Sequence, residues 1–381
     1  MPDSENCCQP KEVQQNDYRT DKQPAQPCCG HSPDEKPGFA RYPFVTDWLN
    51  TAAGSVPLVS TRLVHRDHLG HWAMRWGIGR SRYQITPGLY AVGQPDPLSP
   101  VLVSANYKLS FDCLRSAISG ISAWILVIDT RGVNVWCAAG KGTFGTEEII
   151  YRCQTSQLEK LVSHKTLIVP QLGAPGVAAH KVKQATGFSV SYGPVRAADI
   201  PEFIAADMQA TVKMRRVTFS TRERFILTPV ELTGMRKPVL YMAVALLLLG
   251  GIGEDYFSFN AAWSRGLAAL LAGLTGVLSG AVIMPILLPW IPGRLFSAKG
   301  ALLGIIFSTV LILTLYRGTS LPGLAALYLF VSTVSSYTAM NFTGSSTFTS
   351  PSGVEKEMRI SIPLQAGALL TAGVLWLTTA F

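Results

Sequence analysis

Charged side chains are scarce in the second part of this 381-residue chain. Beyond Lys237 lie only six of the 33 Lys and Arg residues and four of the 24 Asp and Glu residues. Such a segment cannot cover itself with polar surface, which excludes a wholly soluble protein. The mean hydropathy of +0.25 is also high for a soluble chain. We therefore expect a soluble part joined to a membrane part over residues 236–381.

Cysteine patterns typical of a disulfide framework or an iron-sulfur centre are missing. The seven cysteines form neither an even extracellular set nor a series of C-x-x-C motifs. We expect reduced thiols and no iron-sulfur centre bound by this chain. Residues 1–38 are polar, with almost no large apolar side chains, and predict a disordered tail. Its pairs Cys7-Cys8 and Cys28-Cys29 either bind a soft metal ion or are ordinary solvated thiols.

Five apolar stretches in the second part have the composition of membrane spans. About 20 apolar residues cross a bilayer, and the stretches cover roughly residues 238–253, 267–289, 301–315, 321–340 and 362–381. With five spans, one side of the membrane receives three basic pairs, namely Arg236 and Lys237, Arg294 and Lys299, and Lys356 and Arg359. Basic loops mark the cytoplasmic side. The polar start contains no signal-peptide pattern, so we expect a multi-pass inner-membrane protein whose soluble part faces the cytoplasm.

Residues 39–97 are predicted as a wrapping or lid segment, because aromatic and turn residues dominate them without a clear period. His65, His68 and His71 are spaced by three, but on a helix the third side chain turns away from the first. We expect these histidines at the surface or in packing more than at a metal ion. Trp72 and Trp76, with the glycines that follow, favour the lid interpretation.

Residues 98–235 alternate apolar strands with short helices. Strands are predicted at VLVSANY, AWILVIDT, TLIVPQLGA and FSVSYGPV, with a possible fifth at RRVTF, and helices at KLSFDCLRSAIS, VAAHKVKQAT and ADIPEFIAAD. This alternation predicts an α/β domain with a parallel sheet covered on both faces. Cys113 and Cys153 fall in predicted helices and are expected to be small buried residues. Ligands bind such sheets beyond the carboxyl ends of the strands, where the stretch NVWCAAGKG follows AWILVIDT.

Two nucleotide-binding motifs are poor fits to the stretch NVWCAAGKGTFGTEEII, residues 134–150. A phosphate loop needs Gly at the position of Val135 and Ser or Thr at the position of Gly142. The segment GKGTFG does match G-x-G-x-x-G, the dinucleotide fingerprint. In that fingerprint, however, the first glycine turns directly out of the strand, whereas nine residues separate Thr130 from Gly140.

The cysteine of this stretch offers a third mechanism. If a helix starts near Trp136, then Cys137 lies in its first turn, where the helix dipole favours a thiolate. Ala138, Ala139 and Gly140 have little side-chain bulk, so a broad planar group can approach the backbone closely. A thiolate there suits a metal ion held in that plane. The alternative is that Cys137 is one more small packing residue.

The stretch NVWCAAGKGTFGTEEI closely resembles the cap-helix signature N-(V/I)-W-C-A-A-G-K of the HgcA family, the membrane-anchored corrinoid proteins of microbial mercury methylation. The flanking segments RWGIGR, PGLYAVG, VLVSANYKLSFD and NFTGSSTFTSPSGVEKEM are also similar to that family. The likeness covers roughly residues 62–381. It implies a Rossmann-like corrinoid-binding domain, over residues 98–235, related to that of the corrinoid iron-sulfur protein of the acetyl-CoA pathway. A membrane domain of about five transmembrane helices follows.

Carried over by position, the resemblance makes Cys137 the lower axial ligand of the cobalt in a cobalamin-type corrinoid. The residues implied to form the cofactor-binding cap are Asn134, Val135, Trp136, Cys137, Ala138, Ala139, Gly140, Lys141, Gly142 and Thr143. A thiolate donates strongly to the cobalt and should favour departure of a methyl group as a carbanion equivalent. The implied activity is that of a methyltransferase that methylates inorganic Hg(II), giving methylmercury.

The resemblance also implies partners. A ferredoxin-like protein with two 4Fe-4S clusters, of the HgcB type, would supply electrons, and a methyl-donor methyltransferase would supply the methyl group. The net charge of +9 is typical of a protein at a cytoplasmic membrane surface, and no nucleic acid is expected. Two alternatives stay open: a corrinoid methyl carrier with another acceptor, and a dinucleotide-binding membrane protein.

Overall fold

The computed structural model describes residues 42–254, 256–316, 318–345 and 351–380. The predicted disordered tail of residues 1–38, with its two Cys pairs, lies outside the described residues.

Seven strands build the sheet of the soluble part. They are β1 (Val45–Thr51), β2 (Gly54–Val59), β3 (Gly88–Val92), β4 (Val101–Ala105), β5 (Ala123–Ile128), β6 (Thr166–Val169) and β7 (Ser189–Tyr192). Their spatial order is β1-β2-β3-β5-β4-β6-β7. β4, β5, β6 and β7 run parallel, which confirms the four strands predicted from the apolar runs.

Six helices accompany this sheet. They are α1 (His65–Arg75), α2 (Lys108–Ala117), α3 (Val135–Gly140), α4 (Thr146–Thr155), α5 (Ala179–Thr186) and α6 (Ile200–Ala205). Alternate residues of β5 pack into two separate apolar clusters, because successive strand side chains point to opposite faces. One cluster contains α4 and α5, and the other contains α2 and α6. The sheet is therefore covered on both faces.

Three sequence-based expectations for this part were wrong or incomplete. The sheet is mixed, because β3 pairs antiparallel with β5. Only eight residues, 93–100, connect β3 to β4, and a parallel connection needs a crossover of a dozen or more. The predicted lid of residues 39–97 contributes β1, β2 and β3 to the sheet. The stretch RRVTF, residues 215–219, forms no strand and instead leads towards the membrane part.

The order of the parallel strands creates a switch point. From β4 the chain moves to β5 on one side and then returns to β6 on the other side of β4. The connections after β4 and β6 therefore diverge and leave a crevice at the carboxyl ends of these strands. This crevice positions the site described below.

The membrane part consists of α7 (Thr221–Gly234), α8 (Arg236–Gly250), α9 (Phe259–Leu278), α10 (Met284–Leu287), α11 (Phe296–Thr314), α12 (Leu321–Asn341) and α13 (Pro351–Thr378), with a short hairpin of β8 (Ile252–Gly253) and β9 (Tyr256–Phe257). In the part of the chain that the structure describes, four helices are long and apolar enough to cross a membrane, at 259–287, 296–314, 321–341 and 352–378. The pair α7 and α8 is bent by 55° and counts as a fifth only if it forms one span.

Side-chain contacts show which helix ends lie near the sheet. Phe219, just before α7, stacks on Phe342 after α12 with ring centroids 6.1 Å apart. Glu357 of α13 accepts a hydrogen bond of 2.6 Å from the backbone N–H of Ser297 in α11. The start of α7, the end of α12 and the starts of α11 and α13 therefore lie on the sheet side.

The opposite helix ends meet on the far side. Arg265 of α9 donates hydrogen bonds to the backbone carbonyls of Ile252 (3.0 Å) and Trp376 (3.1 Å). The β8–β9 hairpin, the start of α9 and the end of α13 are thereby joined. α8 runs from the sheet side to this far side, although its 15 residues span only about 22 Å.

A buried ion cluster joins α1 to α2. Asp112, which has no exposed surface, binds Lys108 (2.5 Å), Arg115 (2.8 Å) and His71 (2.8 Å). Asp67 binds the same Lys108 (2.7 Å) and Arg115 (3.0 Å). Of the three histidines that the sequence analysis considered, His71 thus contacts the buried Asp112 within the protein.

The cluster makes the stability of the soluble part depend on pH. Burial opposes ionisation of Asp112, but hydrogen bonds from His71 and Lys108 and the charges of Lys108 and Arg115 outweigh it and hold its pKa below the ordinary value. The pKa of Asp67 is lowered in the same way, against its burial. A lowered folded-state pKa gives a stabilisation that is complete above the unfolded pKa and is lost as pH falls through the folded value.

We predict that Asp112→Asn lowers the free energy of unfolding by about 3 kcal/mol at about pH 7, because Arg115 is left buried without its main counter-charge. The native protein should lose stability below about pH 4, and the variant should lose less. Thermal unfolding of the detergent-solubilised protein measures both effects. The control is Glu355→Gln, which removes an exposed pair with Arg359 and should change little. Equal effects of the two substitutions would contradict the role of the cluster.

Candidate functional site

Asn106, which directly follows β4, forms hydrogen bonds that hold the loop after β5 in place. Its side-chain oxygen accepts hydrogen bonds from the backbone N–H of Thr130 (3.1 Å), the Thr130 hydroxyl (2.9 Å) and the backbone N–H of Gly132 (3.0 Å). Its amide group donates to Asp129 (3.1 Å). Asn106 and Thr130 are buried, so this amide fixes where α3 begins.

α3 begins at Val135, and Cys137 lies in its first turn, as the sequence predicts. Asn134 is the N-cap, and its side-chain oxygen accepts a hydrogen bond of 2.9 Å from the backbone N–H of Cys137. A capping Asn stabilises a helix start by about 1 kcal/mol. Cys137 itself is exposed. The sequence left two interpretations of Cys137 open, a metal-binding thiolate and a small packing residue. Because Cys137 is exposed, the interpretation as a buried packing residue is wrong.

Small residues allow α3 to pack tightly from behind. Ala138 and Ala139 are buried. Across from them, a Cβ placed on Gly176 would lie 2.1 Å from the carbonyl oxygen of Phe144 and 3.3 Å from the Cα of Ala139. Only glycine fits at that position, so the turn after β6 supports α3 directly.

The outer surface after α3 is open. A Cβ placed on Gly140 or on Gly142 would meet no atom within 4 Å. Gly142 has φ of +76°, a conformation that favours glycine. The backbone N–H of Thr143 returns to the carbonyl of Ala138 (2.9 Å) and closes the turn around Lys141. Of the small residues that the sequence predicted to form an open surface, Gly140 is exposed, but Ala138 and Ala139 are buried, so that expectation was wrong for the two alanines.

A cavity of about 420 Å³ lies at the switch point of the sheet. Its sheet wall consists of residues of β4 and β6 and of the residues that directly follow β6 and β7, which are Leu102, Val103, Ser104, Ile168, Pro170 and Gly193. The cap side contributes Asn134, Val135 and Trp136, and Trp136 is 42% exposed. Cys137 does not line this cavity but follows directly on the residues that do.

Other walls come from α2 and from the membrane part. Cys113 lies on the α2 side and is exposed, so the expectation that it is a small buried residue was wrong. Neighbouring atoms still desolvate its thiol, and this burial raises its pKa. Cys153 in α4 is buried as expected, and burial raises its pKa to about 12. The last wall consists of Ile226, Leu227 and Val230 of α7.

Charge in the cavity is of one sign. The charged residues that line it are Arg75, at the end of α1, and Arg80, in the turn that follows. Burial raises the pKa of the Tyr107 hydroxyl, and the positive charges of Arg80 and Arg75 act in the opposite direction. The thiols of Cys137 and Cys113 are close enough to add to the rise. Tyr107 is therefore within electrostatic range of both cations and both thiols.

The dinucleotide motif is not placed as that function requires. GKGTFG begins at Gly140, the last residue of α3, and not at the end of β5. The first glycine therefore does not turn out of a strand. Among the described residues, His65, His68 and His71 belong to no group of three side chains able to hold a metal ion.

Sequence reasoning missed four residues of the site, which are Asn106, Arg75, Arg80 and Gly176. Asn106 ends the run VLVSAN, and its place at the carboxyl end of a strand was a usable signal. The arginines carry no such signal, because a sequence does not distinguish a cation in a cavity from one at the surface.

Similarity to known proteins is concentrated in this region. Residues 79–204 match the family model of the CO dehydrogenase/acetyl-CoA synthase delta subunit. The gamma subunit of the acetyl-CoA decarbonylase/synthase complex of Methanopyrus kandleri is 34% identical over 127 residues, which are 33% of this chain and 27% of that protein. The corrinoid/iron-sulfur protein large subunit of Moorella thermoacetica is 30% identical over 127 residues, which are 33% and 28% of the two chains. The chain spans only about a quarter of the length of these relatives. Residues 79–204, which the family model matches, contain α3 and most of the cavity but not α7.

We predict that Asn106→Ala loosens the β5–α3 loop, because the N–H groups of Thr130 and Gly132 lose their acceptor. Buried groups left unpaired cost about 1–3 kcal/mol. Hydrogen exchange of residues 130–140 should accelerate, while exchange in β5 itself stays slow. Asn50→Ala, on the exposed edge strand β1, is the matched control and should leave residues 130–140 unchanged. Unaltered exchange in Asn106→Ala would show that other contacts hold the loop.

Proposed function

We propose that this chain is a membrane-anchored corrinoid protein that transfers a methyl group to inorganic Hg(II). One observation carries the proposal: an exposed cysteine lies in the first turn of an Asn-capped helix, beyond the carboxyl end of a strand and beside the cavity at the switch point. The similarity of this region to a corrinoid/iron-sulfur protein supports the cofactor class. The cap-helix signature described above supports the acceptor.

The residues present fit a corrinoid. A broad, flat macrocycle needs a surface without protruding side chains, and the open positions at Gly140 and Gly142 provide one. A cobalt ion needs a soft or nitrogen ligand, and the Cys137 thiol is accessible. The largely apolar cavity beside it is smaller than a whole corrinoid. The macrocycle would therefore lie over the mouth, against the cap.

In this proposal each cap residue has a defined task. Asn134 holds the backbone of Cys137, so that its sulfur would be kept in one position as a ligand of the cobalt. Ala138 and Ala139 keep α3 against the sheet, and Gly140, Lys141, Gly142 and Thr143 form the accessible edge. Val135 and Trp136 separate the cap from the cavity. When bound, the corrinoid would supply a methyl-carrying cobalt whose methyl group passes to Hg(II), giving methylmercury.

Two protein partners belong to the proposal. A ferredoxin-like protein with two 4Fe-4S clusters would return the cofactor to its reduced form, and a methyltransferase would supply the methyl group. Neither task is assigned to a residue of this chain.

A second candidate is a corrinoid methyl carrier with another acceptor. The matched relatives are named as subunits of the acetyl-CoA decarbonylase/synthase complex and as a corrinoid/iron-sulfur protein, not as mercury-methylating proteins, and this favours the broader class. The two candidates differ only in the acceptor. Methylmercury formation from Hg(II), with the gene deleted and then restored, distinguishes them.

We also propose that the sheet domain faces the cytoplasm and that five segments cross the inner membrane. In this topology the bent pair of α7 and α8 counts as the first span. The sheet-side and far-side contacts support an odd number of crossings, because α7 starts on one side and α13 ends on the other. The basic pairs of the sheet side, such as Arg236 and Lys237, support the orientation.

We predict that Cys137→Ala lowers methylmercury yield by roughly 100-fold or more, since loss of a metal ligand should cost at least as much as loss of its outer-shell partners. Corrinoid should still bind, because the small-residue surface remains, but its absorption spectrum should change. Cys137→His should restore a nitrogen ligand without restoring the yield. Cys153→Ala is the control, since this buried thiol should cost only about 1 kcal/mol of stability. A near-normal yield with an unchanged spectrum in Cys137→Ala would refute the ligand role.

We predict opposite labelling of two loops by a membrane-impermeant thiol reagent. In intact cells Tyr256→Cys, in the far-side hairpin, should be labelled because Tyr256 is 92% exposed. Ser350→Cys, in the segment between α12 and α13, should react only after the cells are opened. The reverse pattern would mean that the sheet domain lies outside the cytoplasm.

A further inference from the structure

Two cations of the cavity have no partner within the described part of the chain. The side chains of Arg75 and Arg80 form neither a hydrogen bond nor an ion pair with any described residue. The carboxylates of Asp67 in α1 and Asp112 in α2 are already occupied, because they bind Lys108 and Arg115. No carboxylate lines the cavity among the residues that the structure describes. Both guanidinium groups are therefore available for an anion.

The surroundings of these arginines define the class of ligand. Most of the lining is apolar, with residues such as Leu102, Ile168 and Leu227. The positive field extends inward, since it opposes the burial-induced rise in the pKa of Tyr107. A guanidinium group presents a planar fork that matches phosphate oxygens. The best occupant is an organic molecule that carries one phosphate.

We infer that Arg75 and Arg80 bind the phosphodiester in the nucleotide loop of the corrinoid. This inference rests on the proposed function, in which Cys137 replaces the corrinoid's own lower base. The displaced nucleotide loop then needs a place next to the cap. The cavity begins at Asn134, Val135 and Trp136, directly before Cys137, and its volume of about 420 Å³ suits a part of the cofactor more than the whole.

The test compares two corrinoids on the full-length protein in detergent. Cobalamin contains the nucleotide loop and its phosphate, and cobinamide lacks both. The native protein should bind cobalamin more tightly. In the double variant Arg75→Gln/Arg80→Gln the dissociation constant for cobalamin should rise about tenfold or more, since charged hydrogen bonds are lost, while that for cobinamide stays unchanged. Titration followed by corrin absorption measures all four constants.

A matched control removes the same charge elsewhere. Arg66 and Arg82 are exposed neighbours on the same segment and do not line the cavity, so Arg66→Gln/Arg82→Gln should leave both constants unchanged. Inorganic phosphate should compete with cobalamin but not with cobinamide, which distinguishes the nucleotide loop from a general anion site. Equal losses for both corrinoids, or an equal effect of the control variant, would overturn this inference alone. Failure of the native protein to bind either corrinoid would overturn the proposed function as well.

Discussion

The buried amide of Asn106 is the constraint on which the site depends. One side chain at the end of β4 holds the first residues after β5, and these residues determine where α3 begins. Without that link, the backbone N–H groups of Thr130 and Gly132 in the loop before α3 would lose their acceptor. The support from the other side is steric, because Gly176 lets the turn after β6 approach Phe144 and Ala139. The cap is therefore held by the hydrogen bonds of Asn106 to the preceding loop and by close packing of α3 against Gly176.

The ion cluster between α1 and α2 explains why Arg75 has no carboxylate partner among the described residues. α1 and α2 bring four strongly interacting charges together, and burial makes each carboxylate bind two cations. That saturation uses Asp67 and Asp112 completely. Arg75, about two turns beyond Asp67 along α1, then lines a cavity in which no carboxylate of the described residues lies. Asp67 and Asp112 are thus used in the ion cluster, and the arginines that line the cavity are left for a ligand.

Local sequence signals predicted the parts of the fold that depend on local chemistry. Continuous apolar runs predicted β4 to β7, and the position of Cys137 in the first turn of a helix was also predicted, whereas the burial of Ala138 and Ala139 was not. Strand direction could not be predicted in the same way, because the antiparallel placement of β3 follows from a short connection and from pairing with a distant strand. The stretch RRVTF has strand-forming residues, yet Arg215 and Thr218 use their side chains on Gln171 and Glu223. The contact of Arg215 with Gln171 spans 44 residues, and a local sequence pattern does not show such a contact.

The membrane part contributes to the site and does not act only as an anchor. Leu227 of α7 lines the cavity and also packs in the apolar cluster that contains Met284 and Phe342. The cavity wall and the membrane helices are therefore one packed unit, and a shift of α7 would change both. The family model matches residues 79–204, so this wall lies outside the matched region. The matched region therefore supplies most of the cavity lining, and α7 of the membrane part supplies a further wall.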